Sequence, residues 1–268
     1  MNMLQKILML GTCLLAFIAV STVSAAQSSA PAAQAPAAAV APAPAPGNAW
    51  PPAGGPNFAA PKDNAPRTIA PYFTPATSAP KAPDADGFLQ RWLLLEPIVK
   101  PNRSNTVFTG TYVRSTFNTE YFPNQFTVLP HNGDKVTVAG KELAWHALDT
   151  ANFDVKLFRF AYGLNKPTYG VIFWAVTVIN SPREMKNVRL AVGSNSASMW
   201  WLNGQEAAGL FDDRRMVMDD VVSKRLTLNK GKNVLRGAVI NGPGLSDFCV
   251  RLIDENGEPV KGITTSLE

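Results

Sequence analysis

From Asp84 to the end of the chain the apolar residues fall in short runs, separated by turn residues at intervals of roughly 8 to 14 positions. That rhythm constrains the fold more than any other feature, because runs so short and so regularly broken suit strands and not helices. The expected strands are FLQRWLLL (88–95), KVTVAG (135–140), VKLFRF (155–160), TYGVIFWAVTVI (168–179), NVRLAVG (187–193), ASMWWLN (197–203), SKRLTL (223–228), NVLRGAVIN (233–241) and DFCVRLID (247–254). In NVRLAVG, Val188, Leu190 and Val192 share one face while Arg189 takes the other; Phe248, Val250 and Leu252 do the same opposite Arg251. VIFWAVTV is apolar on both faces, as a central strand covered on both sides must be. Asn203-Gly204, Asn229-Lys230-Gly231 and Asn256-Gly257 supply residues that accept the positive φ of tight turns. The predicted class is all-β, an antiparallel β-sandwich of jelly-roll type with little helix.

Two segments precede that region. Residues 1–25 carry Lys6, an apolar run from Ile7 to Val20 and small residues before Ala25, the pattern of a secretory signal peptide. The run is broken by Gly11 and Thr12, too short for a permanent span. From 26 to 83 the chain is an Ala/Pro-rich linker, expected to be mostly disordered: 14 of the 22 prolines lie between Gln27 and Pro83, and such a stretch cannot bury enough apolar area to offset its ordering entropy. The folded domain is therefore expected over 84–268, in a periplasmic or secreted protein.

Cleavage of the leader removes Cys13 and leaves Cys249 alone, so the domain has no internal disulfide; a thiol inside DFCVRLID suits a buried strand. The mature chain would carry 24 basic and 20 acidic residues. That small, scattered excess, with no nucleic-acid motif, argues against nucleic acid as a partner.

The segments WWLNGQE, RLTLNKGKNVLRG and DFCVRLIDENGEPV resemble the galactose-binding-domain-like β-sandwich modules attached to bacterial glycosidases and acetylxylan esterases. The matching positions are the "WLNG" turn, Leu228 to Asn233 as "L-x-x-G-x-N", and Phe248, Arg251, Leu252, Asp254, Gly257 and Pro259 of a last strand; Trp92, Leu93 and Pro97 echo an opening strand. The resemblance implies a jelly-roll-like module that binds carbohydrate or supports a catalytic neighbour, often with a structural Ca²⁺. No catalytic module accompanies it in this chain, so such a neighbour would be a separate envelope or secreted enzyme.

Trp200 and Trp201 are adjacent, so on a strand they point to opposite faces. In the resemblance Trp201 is the residue before Leu-Asn-Gly, so Trp200 is the extra tryptophan, projecting from the opposite face as the candidate ligand contact. A sugar site needs an aromatic face for the C–H surface of a pyranose and polar groups for its hydroxyls. Arg214, Arg215, Asn241 and Asp247, all expected at strand ends, are the polar candidates. Other chemistries have thinner support. An esterase would need Ser194 as nucleophile, His146 as base and Asp149 to orient it. Asp212, Asp213, Asp219 and Asp220 supply carboxylates but are interleaved with Arg214 and Arg215, as in a charge-compensated loop. Asp84, Asp86 and Asp254 offer oxygen ligands suited to Ca²⁺ and serve equally as turn caps. The sequence thus favours a non-catalytic carbohydrate-binding module without a required cofactor, over an envelope assembly module meeting another protein and over a hydrolase.

Overall fold

A computed structural model describes residues 67–102 and 104–268. In chain order they form β1 (Phe73–Pro75), β2 (Arg91–Leu95), β3 (Ile98–Val99), a 3-10 turn (Asn105–Val107), α1 (Gly110–Asn118), β4 (Lys135–Val138), β5 (Lys141–Thr150), α2 (Leu157–Gly163) and β6 (Val171–Ser181). There follow β7 (Met185–Ser194), β8 (Ser198–Leu202), β9 (Gln205–Leu210), β10 (Val221–Val222), β11 (Leu226–Leu228), β12 (Gly231–Asn241), β13 (Phe248–Ile253) and β14 (Thr264–Ser266). The leader and residues 26–66 of the expected linker lie outside the described residues.

The strands make an antiparallel β-sandwich. The larger sheet runs β1-β5-β2-β6-β12-β8-β9, with β3 and β14 also on β6 and β4 on β5; the smaller pairs β10, β11 and β13 with β7. Its centre is the β6–β12 ladder, in register from Gly231 opposite Ser181 to Asn241 opposite Val171. Alternate residues feed two cores. Between the sheets, Trp92, Leu94, Phe173, Trp200, Leu235 and Val239 meet Val188, Leu190, Val192, Phe248, Val250 and Leu252. On the other face of the large sheet, Leu93, Trp145, Ile172, Trp174, Val176, Met199 and Ile240 are covered by Phe108, Val113, Phe117 and Phe122 from the segment around α1. That is why every residue of VIFWAVTV is buried.

The covering segment is a product of its own sequence. Thr109 caps α1 by accepting a hydrogen bond from the Tyr112 amide, and Val113, Thr116 and Phe117, three and four apart, form its buried stripe. Two turns of such a helix give too little periodicity to stand out in the sequence.

Three expectations need correction. Residues 155–160 are not a strand: Leu157, Phe160 and Ala161 are buried in α2, and the alternation of VKLFRF was equally compatible with a one-sided helical turn. ELAWHALD, unassigned above, lies in the ten-residue β5. The folded region also starts before Asp84. Phe73 is buried in the inter-sheet core, β1 pairs with β5, Lys81 bridges Thr265, and the Arg91 guanidinium donates to the Ala79 carbonyl. Hydrogen bonding to an open sheet edge and one aromatic anchor offset the entropy that proline-rich composition alone suggested could not be recovered.

Gly163 fixes how closely that N-terminal segment docks, since a Cβ there would stand 2.6 Å from the backbone of Thr68 and Ile69. Gly163→Ala is therefore expected to push β1 off the sheet at a cost of about 1–3 kcal/mol. Amide exchange at Phe73 and Thr74 should accelerate while the β6–β12 ladder stays protected; unchanged protection at Phe73 would refute this.

Candidate functional site

The site arises where the covering layer around α1 stops short of the edge of the large sheet. There β12 lies between β6 and β8, with Arg236 opposite Val176 on one side and Trp201 on the other. Arg236 shares its face with Val234, Ala238 and Ile240, so a guanidinium stands in an otherwise apolar row. Trp201 is half-buried, and its ring stacks on Trp174 at a centroid distance of 5.9 Å and an interplanar angle of 19°. Phe126, 39% exposed, meets the Trp174 ring edge-on at 6.0 Å. Asn118, Phe126, Trp201, Gly204 and Arg236 line a cavity of about 360 Å³. An adjoining hollow of about 240 Å³ shares Phe126, Gly204 and Arg236 and adds Thr127, Asn203 and Val234. Asn203 and Gly204, at φ of 51° and 79°, form the tight β8–β9 turn at its rim.

The electrostatics of the site centre on Arg236. It is 5% exposed, and burial lowers its pKa to about 10, so it remains a cation at neutral pH. One Nη2–H donates to the Val128 carbonyl at 2.7 Å, while Nη1 has no hydrogen-bond acceptor among the described residues. No described carboxylate pairs with it, whereas Arg91, the other buried cation among the described residues, holds Asp149 at 2.8 Å. Trp174 Nε1, on the same face, is a second buried donor without an acceptor.

Trp200 does not project toward a ligand. Trp200 is fully buried between the sheets, edge-on to Phe248 at 4.9 Å and to Trp92 at 6.0 Å, with Nε1 donating to Ser198 Oγ. It fits because Gly237 lies opposite: a Cβ there would stand 2.3 Å from the Trp200 ring. Trp201, on the other face, reaches the cavity.

The other expected ligand residues line none of these cavities. Arg214 pairs with Asp220 and donates to the Phe211 carbonyl, and Arg215 is exposed on the same loop. Asn241 is buried, its amide donating to the carbonyls of Thr168 and Gly244. Asp247 is buried beside Lys156, at 3.3 Å, and the Phe158 amide; burial raises its pKa to about 6.

The structure does not assemble the hydrolase set. Ser194 is wholly buried, its hydroxyl donating to the Asp247 carbonyl. His146 contacts Glu96 at 3.4 Å, and Asp149 is held by Arg91 and Lys81. His146 and Asp149 are three apart on β5, hence on opposite faces. Two of the three calcium candidates are turn caps: an Asp84 carboxylate oxygen accepts from the Asp86 and Phe88 amides, and one of Asp254 accepts from those of Asn256 and Glu258. Among the described residues no group of three or more His, Cys, Asp or Glu is placed to hold a metal ion. Cys249 is a buried thiol whose pKa burial pushes up to about 12.

A larger hollow of about 470 Å³, lined by Pro75 to Ser78, Asn132, His146 to Leu148 and Ser266 to Glu268 among others, is a weaker candidate. Its Asn132 Oδ1 accepts from the Ala147 amide, and its Ser266 hydroxyl is held between Asn180 and the Glu268 carbonyl.

Fold and site together define an antiparallel β-sandwich with an aromatic, cationic cleft on the outer face of its large sheet. Among solved structures the chain is similar to a "PA14 sugar-binding domain from RTX adhesin", at 11% identity over 66% of this chain and 99% of that one, with a TM-score of 0.38. It is also similar to the PA14 domain of the MpAFP antifreeze protein, at 10% identity over 72% and 95%, with a TM-score of 0.36. No protein-family model and no curated protein matches the chain. Among the described residues no helix is long and apolar enough to cross a membrane.

Proposed function

We propose that this protein is a secreted or periplasmic, non-catalytic carbohydrate-binding module whose binding site is the Trp201–Arg236 cleft. The observation that carries the reading is the half-buried Trp201 ring, stacked on Trp174 and lining a cavity together with Arg236, a buried cation without a carboxylate partner among the described residues. A stacked, immobilised indole offers a flat electron-rich face to pyranose C–H groups at little entropic cost, and a few fixed donors and acceptors set ligand orientation. A volume near 360 Å³ lies at the lower end of the roughly 300–1,000 Å³ of small-molecule sites, so one or two sugar rings of a longer chain would be held. The leader-like residues 1–25 support export.

Trp201→Ala is expected to weaken glycan binding at least about tenfold, an effect of the size found for aromatic interface anchors. Trp201→Phe should retain part of the affinity. Binding to a glycan panel by calorimetry checks both. A wild-type chain that binds no glycan, or a Trp201→Ala variant that binds as tightly as wild type, defeats the reading.

A further inference from the structure

Arg91, the other buried cation among the described residues, has been given an anion, and Arg236 has not. It is 5% exposed, in the middle of a central strand, among Val176, Trp201 and Ala238, where water solvates it poorly. A buried charge without a counter-charge is costly, and proteins retain one where a ligand supplies the partner. The carbonyl of Val128 satisfies only Nη2. Arg236 lines both adjoining hollows, with Phe126 in each and Trp201 in the larger. Whatever enters must bring acceptors and negative charge to Arg236 and an apolar face to Trp201.

We propose that the cleft is specific for acidic sugars, a uronate residue of a polysaccharide lying with its ring on Trp201 and its carboxylate toward Arg236. The inference rests on the carbohydrate reading of the same cleft and adds the charge of the ligand. A carboxylate is an acceptor-only group whose two oxygens suit a guanidinium fork, so it brings acceptors and the missing negative charge in one group. A neutral sugar leaves that charge uncompensated. Asn118, on the same wall, is placed to serve the ring hydroxyls.

The experiment compares the whole chain against polygalacturonate, alginate and hyaluronan and against their carboxyl-reduced counterparts, which keep the backbone and lose the charge. Wild type is expected to bind at least one acidic polymer tenfold or more tighter than its reduced form, with the difference shrinking as NaCl rises. In Arg236→Gln the affinity for the acidic polymer should fall to that of the reduced one, and Arg236→Lys should restore part of the difference; melting curves of both variants verify folding. Equal binding of acidic and reduced polymers by wild type overturns the inference and leaves the carbohydrate reading standing. So does a difference that persists in a folded Arg236→Gln. Binding to no glycan, charged or neutral, overturns both.

Discussion

Trp200→Ala is expected to lower the melting midpoint by about 10 °C or more, whereas Trp201→Ala lowers it by roughly a third of that or less. The two residues are neighbours in sequence and identical in type, so the contrast isolates position. Trp200 is wholly enclosed between the sheets by Trp92 and Phe248, and its ring lies over Gly237. Removing it leaves a cavity that the facing strands cannot close, because a glycine backbone and two aromatic rings, themselves in contact at 5.0 Å, surround the space. Trp-to-Ala changes in such surroundings cost about 3–5 kcal/mol, and a domain of this size loses about 2–4 °C per kcal/mol. Trp201 has solvent on one side, so its removal forfeits one stacking partner. Calorimetric melting of both variants checks this, and equal shifts would show that Trp201 belongs to the core.

Asp247→Asn should stabilise the protein at pH 8 and leave it unchanged near pH 3. The Asp247 carboxyl is buried, and burial, opposed by Lys156 and reinforced by Asp154, holds its pKa at about 6 in the folded chain. A carboxyl raised in the folded state favours folding while protonated, so its contribution is complete below the unfolded value near 4. It is lost as pH climbs through 6. Asparagine mimics the protonated acid at every pH, and Lys156 keeps Asp154 at 2.6 Å. The variant's advantage should thus open between pH 4 and 6 and level off at about 2–3 kcal/mol above pH 7, or about 5–10 °C in melting midpoint. Melting curves from pH 3 to 8 test this; a difference that does not vary with pH contradicts it. The same experiment separates a structural Asp247 from the ligand-binding role expected from sequence, because binding at the Trp201 cleft should be unaffected.

Much of the architecture was legible. Eight of the nine expected strands coincide with strands of the sandwich, and the double-faced apolarity of VIFWAVTV correctly implied a strand covered on both sides. VKLFRF misled because six residues satisfy both a two-residue and a one-sided helical period. The candidate site was less legible. The strand-end loops that composition singles out hold Arg214 paired with Asp220, and Asp219 paired with Arg251 of β13, rather than a ligand cleft. The signal for Arg236 was present all the same: in NVLRGAVIN it interrupts the row Val234, Ala238, Ile240, a charge on the apolar face of a strand.

What the sequence by itself determined is the alternation: strands, tight turns at Asn-Gly pairs, and the fact that Trp200 and Trp201 face opposite ways, because a pleated backbone permits nothing else. Which of the two faces is sealed was decided only by tertiary structure. It depends on Gly237 lying across from Trp200, on the small sheet closing over one side, and on the segment around α1 leaving Trp201 partly exposed on the other. Those contacts join residues tens of positions apart, and burial is a property of what arrives from elsewhere in the chain.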